Sequence, residues 1–179
     1  MNLTVKQFYN ILLFSLVINC NIAIATTQTI IDRIPEATTK NTGPFIFKNY
    51  KIHFSTFNTT FLSPEIAKAY NITRSGKYAM VNISVHKVAN TESDLQKTKF
   101  VGCKDYAIKA KVTGTKTNLL SQKTKLVFRE IIEDNAIYYL AEIKITDKEY
   151  FNFELQVIPE GEQKPLPIIK TNQVFYIEH

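Results

Sequence analysis

The stretch KTKLVFREIIEDNAIYYLAEIKI, Lys123 to Ile145, carries the clearest structural pattern in the sequence. Two apolar-rich arms flank Asp134-Asn135. Both residues tolerate positive φ, as a two-residue type I′ hairpin turn requires. With that pair as the loop, one face sets Ile132 against Ile137, Phe128 against Ala141 and Leu126 against Ile143. Glu130 opposite Tyr139 is its one polar break. The other face sets Arg129 against Leu140, Val127 against Glu142 and Lys125 against Lys144. A slip of one residue would mix the two faces, so the pattern itself specifies the register. An apolar face backed by a mixed one predicts a sheet covered on one side.

Further strands lie on either side of this hairpin. Upstream, Tyr50 to Asn58 alternates, with Tyr50, Ile52 and Phe54 on one face. Lys77 to Val88 places Ala79, Val81, Ile83 and Val85 one way and Tyr78, Asn82, Ser84 and His86 the other. Lys104 to Thr113 reads as a strand with Tyr106, Ile108, Ala110 and Val112 inward, followed by a connection over Gly114 to Gln122 that Leu119-Leu120 would pin to the core. Downstream, Tyr150 to Ile158 turns Phe151, Phe153, Leu155 and Val157 to one side. After the Pro159 to Pro167 crossing, Ile168 to Ile177 supplies the last strand. One helix start stands out at Ser63-Pro64-Glu65. Ser63 can cap free backbone N–H groups, Pro64 suits the first helical position and Glu65 complements the positive helix end. This helix runs to about Tyr70, and Ile66, Ala67 and Tyr70 would plug an end of the sheet. Polar connections are predicted at Asn71 to Gly76 and Ala89 to Thr98. About seven alternating strands with one short helix predict an all-β fold, an antiparallel immunoglobulin-like β-sandwich. A closed barrel is the alternative.

The N-terminus reads as a secretory signal. Lys6 gives a positive start, Phe8 to Ile18 an apolar core too short to span a bilayer comfortably, and Ala23-Ile24-Ala25 a cleavage site. Residues 1–25 are therefore expected to be removed, residues 26–44 to form a flexible leader and residues 45–179 to form the domain. Cys20 offers a rival lipid-attachment reading, which Asn19 before it does not favour. Lys6 is the only charged residue in the signal, so its removal lowers the formal charge from +6 to +5. The expected location is the periplasm, with no transmembrane segment after cleavage.

Several chemistries are not written in the sequence. The mature chain keeps one cysteine, Cys103, so no internal disulfide can form, and a catalytic thiol there would need a group to lower its pKa. His53, His86 and His179 do not occur at local metal-ligand spacing, and no metal or cofactor is expected. A site shared by His53 and His86 requires their strands to adjoin. There is no G-x-S-x-G and no phosphate-cradling glycine loop. Glu130 and Glu142 fall on opposite faces of the hairpin, against paired-carboxylate chemistry. Basic residues are dispersed, without the aromatic interleaving that nucleic-acid binding needs.

The segments FSTFNTTFLSPEIAKAYNITRS (Phe54 to Ser75), VNISV (Val81 to Val85), VTGTKTNLLSQ (Val112 to Gln122) and LVFREIIEDNAIYYLAE (Leu126 to Glu142) resemble a bacterial secreted family, domain of unknown function 4426. The resemblance covers most of residues 45–179. It implies a soluble periplasmic protein and no established reaction.

Function concentrates on irregular segments held by a rigid scaffold. Thr56 to Arg74 and Thr117 to Gln122 are those segments, and they mix polar Asn58, Thr59, Arg74, Thr117 and Asn118 with apolar Phe57, Phe61, Tyr70 and Leu119. They form the candidate interaction surface; the competing reading is that both simply cap the sandwich. Arg129 could hold an anionic group or make a cross-strand ion pair. The expected role is non-enzymatic binding of a protein or envelope component through loops or a sheet edge. The alternative is a carrier of a small apolar or lipidic ligand, motivated by 12 Phe and 9 Tyr.

Overall fold

The computed structural model describes residues 43–89 and 105–177. The proposed signal, Cys20, most of the leader, the Ala89–Thr98 loop beyond its first residue, Cys103 and His179 lie outside the described residues. The strands are β1 (Phe45–Phe47), β2 (Tyr50–Asn58), β3 (Tyr78–Val88), β4 (Asp105–Ala107) and β5 (Ala110–Asn118), then β6 (Lys123–Lys125), β7 (Arg129–Glu133), β8 (Ala136–Lys144), β9 (Glu149–Pro159) and β10 (Ile169–Phe175). A 3-10 turn at Thr59–Phe61 and a helix, α1 (Pro64–Ala69), separate β2 from β3. Ser63 caps α1 by accepting from the Ile66 N–H, with Pro64 in the first turn.

Two antiparallel sheets form. The first runs β1-β2-β3-β8-β7, with β4 paired to the far end of β3; the second runs β10-β9-β5-β6. The orders β2-β3-β8-β7 and β10-β9-β5 reproduce the two sheets of an immunoglobulin-like sandwich, so the fold is all-β and of the expected class. The strands fall into two separate sheets, which sets the barrel alternative aside. Among the described residues, seven strands have five residues or more; β1, β4 and β6 are three-residue additions.

The central hairpin is present with the register read from the sequence, from Arg129↔Leu140 to Glu133↔Ala136. Three features differ. Only Asp134 in the turn has positive φ, at 50°, the sign pattern of a type II′ turn rather than I′. The first arm is also shorter than expected. Lys123–Lys125 pairs with Thr115–Thr117 in the opposite sheet, and the chain crosses between sheets at 126–128. Leu126 stands at this crossing. Its N–H still bonds the Gly114 carbonyl at 2.9 Å while its side chain is buried between the sheets. Gly114 leaves the space: a Cβ there would lie 2.6 Å from Leu155 and 3.4 Å from Leu126.

The third difference is that the hairpin's sheet is covered on both faces. Between the sheets lie Ile52, Ala79, Val81, Ile83, Val85, Tyr139, Ala141, Ile143, Phe151, Phe153, Leu155 and Val157. A second apolar layer covers the outer face, where Leu62, Ile66, Ala67 and Ile72 pack on Met80, Tyr138 and Leu140. The helix therefore lies on the face of the sheet instead of plugging its end. Leu140, read as part of a mixed and half-wet face, is completely buried. Arg129 donates to the Tyr70 carbonyl at 2.9 Å, at the C-terminal end of α1.

The strand expected over Lys104 to Thr113 is split. Asp105–Ala107 joins β3 in the first sheet, and β5 starts at Ala110 in the second. The supposed connection after Gly114 is strand as far as Asn118. No helix among the described residues is long and apolar enough to cross a membrane.

Candidate interaction surface

Strand directions bring Thr117–Gln122 and both ends of the Thr56–Arg74 segment to one end of the sandwich, while α1 within that segment lies on the outer face. The C-terminal ends of β2, β8, β5 and β10 meet there with the N-terminal ends of β3 and β9. Contacts across this end confirm the placement: Asn58 Nδ2 donates to the Tyr176 carbonyl at 2.8 Å, and Lys116 Nζ to the Lys144 carbonyl at 3.2 Å.

The nine sequence-selected residues divide into two groups. Thr59 is buried; its hydroxyl contacts the Ser75 and Tyr78 carbonyls and accepts from the Ser75 N–H, closing the loop base. Phe57 and Tyr70 pack against the outer apolar layer. Asn58 ties the loop to the C-terminal strand, and exposed Arg74 donates from Nε to the Leu62 carbonyl at 2.8 Å. These residues build the platform. Thr117 is half-buried in β5. The apolar residues of the nine that face solvent are Phe61, 62% exposed, and Leu119, 74% exposed. Two residues not selected from the sequence join them: Leu120, 79% exposed, and Tyr176, 53% exposed.

Leu119 and Leu120 do not pin their loop to the core; they form its tip. Asn118 organises the turn. Its Oδ1 accepts from the Leu120 and Gln122 N–H groups at 3.1 and 2.9 Å, and its Nδ2 donates to Gln122 Oε1 at 2.7 Å. The Asn118 carbonyl takes the Ser121 N–H, and Ser121 adopts φ 60°. A loop tied this closely to its own asparagine holds two leucines outward without help from the core. An asparagine that bonds the backbone two residues ahead is a turn signal readable in the sequence. The outward direction of the leucines is not.

Lys116 points inward beneath this tip and lies 3.7 Å from the centre of the Phe151 ring. Burial lowers its pKa, which Glu149 opposes. The charged end stays near solvent while the stem closes the core.

A polar cluster occupies the outer face of the first sheet, away from α1. The β2 and β3 strands do adjoin, and the His53 and His86 rings meet edge to face at 5.1 Å. Asp105 sits 2.7 Å from Lys51 Nζ and 3.9 Å from His86 Nδ1. His86 and Lys51 hold the Asp105 carboxyl well below the ordinary carboxylate range, against its burial. Burial, with His86 and Lys51 adding to it against Asp105, lowers His53 to about 4. Among the described residues, no three His, Cys, Asp or Glu side chains are arranged to hold a metal. Glu130 and Glu142 do face opposite ways: Glu130 accepts from the Tyr139 hydroxyl, and Glu142 from the Thr73 N–H.

The model of a domain of unknown function, DUF4426, matches residues 45–178. The chain belongs to the DUF4426 family. The crystal structure of a DUF4426 family protein from Pseudomonas aeruginosa PAO1 aligns with this domain at a TM-score of 0.60 and 25% identity, over 76% of this chain and 95% of that one. No curated protein matches the sequence. The family membership supplies a fold and no reaction, so the surface of this DUF4426 domain has to be read from its own chemistry.

Proposed function

We propose that this DUF4426 domain is a non-enzymatic binding module of the periplasm, engaging a protein or envelope component through the end that carries Phe61, Leu119, Leu120 and Tyr176. The leucine pair carries the proposal. Two adjacent leucines almost fully in water cost solvation free energy, and their loop holds them there by side-chain bonds from Asn118. A turn serving only to join β5 to β6 has no need of apolar side chains at its tip. The secretory pattern of residues 1–25 supports the compartment.

The reading as a carrier of an apolar ligand draws less support. Four of the aromatics that motivated it, Phe54, Phe151, Phe153 and Phe175, pack against one another between the sheets at centroid distances of 5.4–6.3 Å. They serve as core.

The test is photocross-linking in intact cells from a reactive residue at position 119, with position 132 at the opposite end as control. Adducts are analysed for both protein and lipid. A discrete adduct from 119 and none from 132 is expected. Absence of any adduct from positions 61, 119 and 176 in folded, exported protein sinks the proposal.

A further inference from the structure

We infer that the component met by this end is the surface of an anionic lipid bilayer, with Leu119 and Leu120 entering the interface and neighbouring lysines meeting the headgroup phosphates. This rests on the end being the binding surface, and it names the partner's chemistry.

Three observations favour a bilayer over a protein. The apolar side chains stand at separate points. Phe61 and Tyr176 lie on the β2–β10 side, and Leu119 and Leu120 at the β5–β6 tip, with β9 between β10 and β5. A protein interface of ordinary size takes about 800 Å² of continuous, complementary surface from each partner. A fluid bilayer accepts separate points of insertion.

The second observation is the state of the tip's backbone. The N–H groups of Leu120, Ser121 and Gln122 all bond within the loop, to Asn118 Oδ1 and the Asn118 carbonyl. Backbone donors entering an apolar phase must carry their acceptors with them. This turn does so.

The third is charge. Lys77, Lys144 and Lys148 are exposed at this end, and Lys148 stands at the tip of the β8–β9 turn with φ 57°. The acids beside them are turned to backbone donors: Glu142 to the Thr73 N–H, Asp147 to the Ile177 N–H and Glu149 to the Thr146 N–H. Exposed ammonium groups around an apolar tip complement anionic headgroups, each adding about fivefold to membrane affinity.

The experiment uses the purified full chain and vesicles of phosphatidylglycerol with phosphatidylcholine, compared with phosphatidylcholine alone. Cosedimentation with the anionic vesicles is expected, weakening as salt is raised. Replacing Leu119→Ser together with Leu120→Ser should reduce binding by roughly tenfold or more. Lys144→Glu with Lys148→Glu should reduce it by more than about fivefold. All four positions are exposed, and far-UV circular dichroism checks that the variants fold. The chain has no tryptophan, so Leu119→Trp gives a single reporter whose emission should shift to the blue on anionic vesicles. Ile132→Trp, half-exposed near the opposite end, should not shift. No vesicle binding, or binding indifferent to the leucines, overturns the bilayer inference. If a protein adduct then forms from position 119 in cells, the binding reading stands with a different partner. If no adduct forms either, both fail.

Discussion

At the scale of single residues, His53 makes the most testable statement about stability. Its imidazole is held neutral on the outer face of the first sheet, between β2 and β3, with Lys51, His86 and Asp105 around it. Its pKa falls from an ordinary 6.5 to about 4. Between those values the unfolded chain binds a proton that the folded chain does not. The contribution of His53 to stability is therefore fully present above about pH 6.5 and is lost as pH falls toward 4, by up to about 3 kcal/mol. Asp105 adds a further loss at more acid pH, because its depressed carboxyl must be protonated there. Urea midpoints measured across this range should show the decline, and His53→Asn should flatten it. A wild-type midpoint constant from pH 6.5 to 4 contradicts the neutral, half-buried histidine. The sequence placed both histidines in strands. Their contact depended on which strands are neighbours, and alternation within one strand does not contain that information.

At the scale of elements, the β5–β6 turn shows how local chemistry and exposure part company. Asn118 bonds two backbone N–H groups and the Gln122 side chain, which makes it the organiser of the tip. Asn118→Ala should loosen residues 119–122 and cost about 1 kcal/mol, the scale of one or two exposed side-chain bonds. Hydrogen exchange should then quicken at Leu120 and Gln122 while the β3 amides keep their protection. Unchanged exchange at the tip would mean that the backbone alone holds the turn. Strand β2 was legible at both ends, because alternation and flanking breakers agree there. The splits at 108–109 and 126–128 were not. Alternation continues through a strand that changes sheets, since the inward residues Ile108 and Leu126 keep facing the same core from the other side.

At the scale of the whole molecule, Tyr139 joins the two sheets. From β8 its hydroxyl accepts the Ala110 N–H at 2.7 Å, where β5 begins in the opposite sheet, and donates to Glu130 at 3.0 Å. Burial, with Glu130 adding to it, pushes the phenol up to about 12, so the bridge persists through the neutral range. Tyr139→Phe keeps the ring and strips a half-buried N–H of its acceptor. It should cost about 1–3 kcal/mol, lowering the midpoint of thermal unfolding by several degrees. A melt that does not move would show that the Ala110 N–H finds another partner.

The all-β class, the β2 boundaries, the hairpin register at Asp134-Asn135 and the capped helix at Ser63 could be read from the amino-acid sequence. Each of these follows from periodicity, turn residues or capping, which act over a few neighbours. Long-range pairing settled that the strands form a sandwich and not a barrel, that α1 buries the second face of the hairpin's sheet, that Lys123–Lys125 belongs to the other sheet, and that the Thr56–Arg74 segment begins and ends where Thr117–Gln122 lies. It also decided that Leu119 and Leu120 face water. These outcomes depend on how distant strands pair and which faces remain uncovered, and a leucine carries the same letter in a core and at a tip.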